Sequence, residues 1–219
     1  MSLRNKKILI TAGPTHEPID PVRFIGNHSS GKMGYAIAKS LVDQGATVTL
    51  VSGPSVLTPP EGVTFIAVKS AKQMYDSVTP LHGEMDVIIL SAAVADYTPA
   101  VVADQKIKKD EERFSIELVK TVDIAKELGK LKSSKQLHIG FALETNNEFE
   151  NAVKKLDSKN LDFIVLNSLR NEGTCFGSDD NKITIIERTK NIEFELKNKQ
   201  EVASDIVLHL ERIIHEKNL

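Results

Sequence analysis

Cysteine and tryptophan are almost or wholly missing from this sequence of 219 residues, which has one cysteine, Cys175, and no tryptophan. A single cysteine excludes an intramolecular disulfide and a zinc site built from several thiolates, as is usual in a reducing compartment. We expect Cys175 to be a packing or loop thiol. Aromatic residues make up 5% of the chain, so a surface that stacks nucleic-acid bases is not expected.

Long apolar runs and an excess of positive charge are missing too. No run of about eighteen apolar residues occurs, and the start, Met1 to Lys7, is polar with no signal-like stretch behind it. The 28 lysines and arginines face 30 acidic residues, which gives a net charge of -2. We therefore expect a cytoplasmic protein with neither a membrane nor a nucleic acid as partner.

Short apolar runs alternate with amphipathic segments along the chain. The apolar runs predict buried strands at Lys6–Thr11, Thr47–Ser52, Val63–Val68, Asp86–Leu90, Leu137–Gly140 and Asp162–Asn167. The amphipathic segments predict helices at Ser30–Gln44, Ser70–Val78, Val122–Leu131, Asn147–Ser158 and Lys199–His215, with Thr121 as a candidate N-cap. This pattern predicts an α/β fold, Rossmann-like and doubly wound, with a mostly parallel sheet in a single domain over residues 4–219.

Two segments interrupt the alternation. Residues 101–113 are charged and lysine-rich, which predicts a mobile flap. Residues 182–196 contain KITIIE and NIEFEL around a short polar link, which predicts a small C-terminal β-hairpin extension with no obvious place in a parallel sheet. Because an uncovered strand edge invites pairing, we expect this hairpin to join two copies of the chain in a homodimer.

The connection between the first strand and the first helix is the strongest sign of a site. It runs from Ala12 to Ser30, far beyond the two to six residues usual at such a position. Its hydroxyl, amide and cationic groups at a helix N-terminus suit a phosphate or carboxylate; they belong to Arg23, Asn27, His28, Ser29 and Ser30. The alternative is that Ser30 simply caps the helix.

The sequence contains neither of two common phosphate-binding motifs in complete form. Gly26 to Lys32 has the GxxxxGK spacing, but Met33 stands where a magnesium-binding serine or threonine belongs. The dinucleotide fingerprint GxGxxG is missing, and Pro14 and Glu17 would obstruct a pyrophosphate after the first strand. Because this fingerprint is missing, a nicotinamide-dependent reductase or epimerase ranks only as the second candidate function. A non-enzymatic nucleotide sensor is the third.

Other candidate residues follow the fourth predicted strand and lie on the flap. Small residues at Ser91–Val94 allow a ligand to approach the backbone, and Asp96 offers an acceptor for sugar hydroxyls or a base amino group. Lys106 and Lys108 alternate with a single residue between them, so an extended flap could direct both ammonium groups at a triphosphate. The alternative is a solvated charged face.

Lys155 and Lys159 lie one helical turn apart on a predicted helix, again with solvent exposure as the alternative. The six histidines contain no HxxxH pair. We therefore expect no metal site made of protein ligands, and any Mg²⁺ would arrive with a nucleotide.

Five segments together carry a family resemblance: TAGPTHEPIDPVRFIGNHSSGKMG (Thr11–Gly34), SAAVADY (Ser91–Tyr97), KIKK (Lys106–Lys109), GFALETN (Gly140–Asn146) and KNLDFIVLN (Lys159–Asn167). They resemble the phosphopantothenoylcysteine synthetases, also called phosphopantothenate–cysteine ligases, from about Lys6 to the last helix. Many bacterial members are the C-terminal half of a fusion with a flavin-dependent decarboxylase. The resemblance implies a standalone bacterial form here, a single ligase domain without flavin chemistry.

The resemblance also implies a reaction in coenzyme A biosynthesis. The carboxylate of 4'-phosphopantothenate attacks the α-phosphate of CTP, and the amine of L-cysteine then displaces the nucleotide from the acyl-cytidylate. It implies Mg²⁺ delivered with CTP, and a homodimer.

Matching the motifs residue by residue implies the site. Asn27, Lys106 and Arg23 are the implied catalytic residues, and Ala92 and Ala93 join Asn27 and Arg23 in binding the acid substrate. The implied nucleotide contacts are Asp96, Lys106, Thr121, Val122, Asp123, Ile124, Phe141, Lys155 and Lys159. Many relatives carry Asn-Pro at the positions of Thr121 and Val122, so backbone contacts are expected there; Leu143 stands where an alanine is common.

Overall fold

The computed structural model describes residues 3–108, 112–144, 146–168 and 178–219. Lys109 and Cys175 lie outside the described residues. The strands are β1 (Lys7–Ala12), β2 (His16–Pro18), β3 (Phe24–Gly26), β4 (Thr47–Ser52), β5 (Thr64–Ala67), β6 (Val87–Leu90), β7 (Tyr97–Pro99), β8 (Leu118–Lys120), β9 (Leu137–Glu144), β10 (Phe163–Ser168), β11 (Asp180–Asn181), β12 (Ile183–Ile186), β13 (Asn191–Glu193) and β14 (Lys197–Asn198). The α-helices are α1 (Lys32–Asp43), α2 (Ala71–Val78), α3 (Ile124–Leu131), α4 (Glu148–Ser158) and α5 (Lys199–Lys217).

The central sheet confirms the predicted doubly wound fold. Its eight strands have the order β13-β12-β10-β9-β6-β1-β4-β5, and those from β10 to β5 are parallel. The chain begins in the middle at β1, moves outward to β5 and returns to the other side of β1 with β6. The strand order therefore reverses between β1 and β6, where sheets of this class bind their ligands.

Alternating apolar residues on the strands build a core on each face of the sheet. In β1, Ile8 and Ile10 point into the core under α1 and α5, whereas Leu9 points into the core under α2, α3 and α4. All three side chains are fully buried. This burial on both faces explains why the strand sequences are continuously apolar.

The predicted hairpin near the C-terminus is confirmed, formed by β12 and β13, but its place relative to the main sheet differs from the expectation. β12 pairs antiparallel with β10, and β13 pairs antiparallel with β12, so the hairpin extends the main sheet instead of lying outside it. Ile183, Ile185 and Ile186 are buried against the core. The open edge of β10 can accept an antiparallel strand as readily as a parallel one, which the sequence reasoning did not consider. The short strand β13 forms the outer edge.

Helix N-termini also differ in detail from the expectation. Asp123, not Thr121, caps α3, because its carboxylate accepts a hydrogen bond from the amide of Lys126 at 3.1 Å. Ser30 does not cap α1: the N-cap is Gly31, which has a φ of 83° and gives no side-chain hydrogen bond. The alternative explanation for Ser30 is therefore wrong. Within the described residues, no helix is both long and apolar enough to cross a membrane.

The predicted flap is attached to the long β1–α1 connection. Its described parts, 101–108 and 112–113, contain neither helix nor strand. The amide of Ala103 donates to the carbonyl of Ile19 at 3.0 Å, and the amide of Ile107 donates to the Asp20 carboxylate at 3.1 Å. The connection itself folds into a small antiparallel ribbon of β2 and β3, which contacts the ribbon formed by β7 and β8.

Candidate active site at the switch point

The segments after β1 and β6 run side by side at the switch point. The amide of Ala93 donates to the carbonyl of Gly13 at 2.9 Å, and the amide of Thr15 donates to the carbonyl of Ala93 at 3.2 Å. The side-chain amide of Asn27 donates to the same carbonyl at 3.0 Å. These bonds place Asn27 and Ala93, both predicted site residues, in direct contact.

A large pocket of about 580 Å³ opens beside this contact, beyond the ends of β6 and β9. We call it the large pocket. Its lining includes eight of the nine predicted nucleotide contacts, namely Asp96, Thr121, Val122, Asp123, Ile124, Phe141, Lys155 and Lys159. The sequence prediction thus named residues that the fold brings together from four separate segments of the chain.

Thr121 joins the two loops that form one wall of the large pocket. Its amide donates to the carbonyl of Asp96 at 3.0 Å, and its hydroxyl donates to the carbonyl of Ala95 at 2.6 Å. The Thr121 side chain is therefore engaged with the protein backbone. The Asp96 carboxylate is exposed at the rim and has no hydrogen bond or ion pair with the described residues.

Two lysines, one on α4 and one directly after it, supply positive charge to the large pocket. Lys155 pairs with Glu144 at 2.6 Å, and Lys159 pairs with Asp123 at 3.0 Å. Both ammonium groups keep partial solvent exposure, so each can also contact a phosphate. The ion pairs hold the lysines in place without burying them.

A second pocket of about 370 Å³ lies between the N-terminus of α1 and the ends of β6, β9 and β10. We call it the second pocket. Five residues line both pockets, namely Ala92, Val94, Asp96, Phe141 and Lys155. Asn27 and Ala93 line the second pocket alone. Its other end contains residues that the sequence reasoning did not assign to the site or named only as a cradle, including Ser29, Ser30, Lys32, Asn167, Asn181 and Lys199.

The α1 N-terminus forms one wall of the second pocket at close range. A Cβ at Gly34 would lie 2.6 Å from the Cβ of Ala12, so only glycine allows the helix to approach β1 this closely. Without a side-chain cap on α1, its first amides are available to an anion, and the helix dipole favours negative charge there. Lys32 adds an ammonium group, which also pairs with Asp179 at 2.5 Å.

Arg23 and Lys106 lie away from both pockets. The Arg23 guanidinium pairs with the buried Asp20 carboxylate and donates to the carbonyl of Ile107 at 2.8 Å. Hydrogen bonds from Arg23 hold the pKa of Asp20 well below its usual range. Lys106 is exposed on the adjoining segment. The roles predicted for these two residues stay predictions.

The residues of the second pocket that were not predicted from the sequence are of two kinds. Asn167 ends a predicted strand, so its place at the carboxyl edge was available as a signal. Asn181 and Lys199 reach the second pocket only because β11 and α5 fold back across the sheet, and no local pattern announces that. In the described part of the chain, no group of three or more His, Cys, Asp or Glu residues could hold a metal ion.

A Rossmann-like sheet with two adjoining pockets at its switch point defines a doubly wound α/β protein with a candidate ligand-binding site. Residues 3–214 match the family described as DFP, the DNA/pantothenate metabolism flavoprotein C-terminal domain. The chain belongs to this family.

Related proteins agree with this assignment. The chain is 50% identical over 215 residues to a cysteine/cysteine sulfinic acid decarboxylase from an unknown prokaryotic organism, covering 97% of this chain and 60% of that protein. It is 46% identical over 207 residues to the coenzyme A biosynthesis bifunctional protein CoaBC of Bacillus subtilis (strain 168), covering 94% of this chain and 51% of that protein. The chain therefore spans about half the length of the curated relatives it matches.

Solved structures share the whole fold. The crystal structure of the C-terminal domain of a coenzyme A biosynthesis bifunctional protein CoaBC has a TM-score of 0.84 and 46% identity, and the match covers 98% of each chain. A Cab2 mutant in complex with phosphopantothenate-cysteine has a TM-score of 0.76 at 17% identity, covering 99% of this chain and 90% of that one. At that identity the likeness concerns the fold alone.

Proposed function

We propose that this chain is a phosphopantothenate–cysteine ligase that uses CTP. The observation that carries the proposal is the wall shared by the two pockets, formed in part by Asp96, Phe141 and Lys155. A nucleotide in the large pocket and an acid in the second pocket would meet at this wall. Support comes from the relatives named for coenzyme A biosynthesis.

The reaction has two steps. The carboxylate of 4'-phosphopantothenate attacks the α-phosphorus of CTP, the bond to the β-phosphate breaks, and pyrophosphate leaves. The neutral amine of L-cysteine then attacks the acyl carbonyl, CMP leaves with the bonding electron pair, and the amine loses a proton. The product is 4'-phosphopantothenoyl-L-cysteine.

The large pocket suits the nucleotide. Asp96 can accept hydrogen bonds from ribose hydroxyls or a base amino group, and Lys155 and Lys159 can contact phosphate oxygens. Glu144 and Asp123 already neutralise part of this positive charge. The two lysines alone therefore do not balance the charge of a triphosphate, and a nucleotide that carries its own cation suits the pocket. Cytosine differs from a purine in size and in the hydrogen bonds that its edge can make, and we expect CTP to be preferred over ATP.

The second pocket suits an acid with negative charge at both ends. Its end at the shared wall would hold the carboxylate, beside Asn27 and Ala93. Its far end, with the uncapped α1 N-terminus and the ammonium groups of Lys32 and Lys199, suits the 4'-phosphate. The arrangement of the pocket matches the arrangement of charge in phosphopantothenate.

We assign Asn27 to the second step. One of its two amide hydrogens is donated to Ala93 at 3.0 Å, and the other is free to donate to the acyl oxygen as it becomes negative. Lys106 and Arg23 complete the proposed catalytic set, and Lys106 would have to move toward the α-phosphate with its segment.

Magnesium fits this site as part of the nucleotide complex. Mg²⁺ usually keeps several waters and binds through substrate phosphates, and no group of three or more His, Cys, Asp or Glu in the described part of the chain could hold it alone, so the ion fits here as a partner of the triphosphate. The ion would neutralise charge on the triphosphate and so reduce its repulsion of the attacking carboxylate. The proposal includes no flavin. It includes the cytoplasmic location that was expected from the sequence.

We also propose a homodimer, and the structure offers a second surface for it. Exposed apolar side chains cluster on and beside the β2–β3 and β7–β8 ribbons: Val22, Phe24, Tyr97, Val101, Val102, Phe114, Leu118 and Val119. Tyr97 also lines the large pocket, so a dimer formed here would border the active site. Large exposed apolar patches mark interaction surfaces, whereas β13 offers only a short edge.

The experiment that tests the ligase is direct. The protein is incubated with 4'-phosphopantothenate, L-cysteine, Mg²⁺ and either CTP or ATP, and the products are followed by mass spectrometry and pyrophosphate release. We expect the ligated product with CTP and much less with ATP. Equal turnover with ATP would overturn only the nucleotide preference. Pyrophosphate release that needs neither acid nor cysteine, or oxidation of a nicotinamide cofactor, would overturn the ligase.

A further inference from the structure

A pair of asparagine side chains lies at the far end of the second pocket. Asn167 is the penultimate residue of β10, and Asn181 belongs to β11, which pairs with the segment leading into α5. The side-chain amide of Asn181 donates to the side-chain oxygen of Asn167 at 3.0 Å. Both residues line the second pocket.

The side chain of Asn181 is buried without a complete set of hydrogen-bond partners. It is 2% exposed, and its side-chain oxygen is buried with no hydrogen-bond partner in the described structure. A buried acceptor without a partner destabilises the folded state. A leucine of similar shape would avoid this cost, so stability alone does not explain an asparagine here.

The hydrogen bond determines what Asn167 can present to a ligand. Because the oxygen of Asn167 accepts from Asn181, the NH₂ group of Asn167 is turned away from that bond, and no described residue accepts from it. An NH₂ group fixed in this way is a hydrogen-bond donor for an oxygen-bearing ligand. Lys32 and Lys199 line the same end of the pocket, which favours an anionic oxygen.

We infer that Asn181 is a positioning residue, which fixes the Asn167 NH₂ group as a donor to the phosphate of the acid substrate. The inference rests on the proposed function, since the phosphate is that of 4'-phosphopantothenate. Asn181 would not touch the substrate. It would act by preventing the Asn167 amide from rotating and presenting its oxygen to the phosphate.

Two substitutions at Asn181 separate this role from simple packing. Asn181→Leu removes the buried acceptor and releases Asn167, so binding of 4'-phosphopantothenate should weaken about tenfold while stability stays the same or rises. Asn181→Asp supplies only acceptors, so the Asn167 NH₂ would turn toward residue 181 and its oxygen toward the phosphate. Binding should then weaken about a hundredfold.

The measurement is calorimetric titration of each variant with 4'-phosphopantothenate, with pantothenate and with CTP, alongside the thermal midpoint. Affinity for pantothenate and for CTP should be unchanged. Asn167→Leu should weaken phosphopantothenate binding, and adding Asn181→Leu to it should have no further effect, because Asn181 acts through Asn167.

Each contrary result has a distinct meaning. Additive losses in the double variant, or losses that follow the thermal midpoint, would show that Asn181 only packs and would overturn the inference. Equal losses for pantothenate would overturn the assignment to the phosphate. Failure of the unsubstituted protein to bind 4'-phosphopantothenate would overturn the proposed function and the inference together.

Discussion

Asn27 has one amide hydrogen committed and one available, which makes its role testable at a single atom. The committed hydrogen is donated to Ala93 at 3.0 Å and fixes the side chain at the end of the second pocket next to the shared wall. An amide cannot act as a base near neutral pH, so its contribution must come from donating a hydrogen bond. That contribution is expected where negative charge develops on the acyl oxygen.

We expect Asn27→Asp to block the second step and largely spare the first. The substitution replaces a donor with a charged acceptor, which opposes the developing oxyanion. An acyl-cytidylate should accumulate and should not be consumed when cysteine is added, as seen by mass spectrometry of the quenched enzyme. If a folded Asn27→Asp variant loses both half-reactions equally, Asn27 merely shapes the connection before α1.

Lys106 presents the opposite situation, since it lies outside both pockets on a segment whose neighbour Ile107 is bound to Asp20 at 3.1 Å. If this segment carries the ammonium group to the α-phosphate, Lys106→Gln should slow cysteine-independent pyrophosphate release by about a hundredfold or more. Lys108→Gln, on the same segment, is the matched control and should have a small effect. Unchanged first-step kinetics in Lys106→Gln would identify Lys106 as a solvated surface residue.

Among the elements, α1 connects packing to ligand binding most directly. Its N-terminus forms a wall of the second pocket, and its distance from β1 depends on Gly34. The same glycine lies behind the uncapped first turn, so any movement of the helix also moves the amides that would face the phosphate.

We expect Gly34→Ala to destabilise the protein by about 1–2 kcal/mol and to weaken 4'-phosphopantothenate binding. The added Cβ would lie 2.6 Å from the Cβ of Ala12, and this overlap outweighs the better helix propensity of alanine. Denaturant unfolding and calorimetry measure the two effects. Gly83→Ala is the control, because nothing lies within 4 Å of a Cβ at that position; equal losses in both variants would contradict the explanation.

The elements also show how far the sequence determines the structure. Continuous apolar runs, such as the one that forms β1, predicted the parallel strands. A strand that is buried on both faces needs apolar residues at successive positions, and this can be seen in the local sequence. The position of β12 beside β10 did not follow, since pairing partners are set by the whole sheet. Motif resemblance named eight residues that line the large pocket, whereas Asn181 reaches the second pocket only because its strand folds back across the sheet, which leaves no local sign.

The stability of the whole molecule should fall as the pH drops below about 6.5. Burial, with the positive charge of Lys132 nearby, lowers the pKa of His138 to about 3, and burial, with Arg212 nearby, lowers that of His209 to about 4. Between those values and the ordinary pKa of 6.5, the unfolded chain binds protons that the folded chain does not. Stability is therefore complete above pH 6.5 and lost progressively below it.

Each buried histidine should contribute a loss of about 1–2 kcal/mol between pH 6.5 and pH 5. Urea unfolding at several pH values measures the loss. His138→Gln should flatten the pH dependence, because it removes one group whose pKa is lowered in the folded protein. Parallel curves for His138→Gln and the unsubstituted protein would contradict the prediction.

The proposed dimer distinguishes two surfaces of the whole molecule. Light scattering at micromolar concentration should give twice the mass of one chain. Val119→Glu should produce a monomer if the ribbons form the interface, and Ile192→Lys should do so if β13 does. Leu208→Glu, at an exposed position on α5, is the control. A monomeric mass for the unsubstituted protein would rule out both surfaces.

The shared wall of the two pockets has a consequence for inhibition. A molecule that links the acid to CMP through a stable mimic of the acyl-phosphate would occupy both pockets at once. Once one half is bound, the other half is present at a high effective concentration, so the linked molecule can bind far more tightly than either half. The short separation of the pockets allows a linker no longer than the reaction intermediate itself.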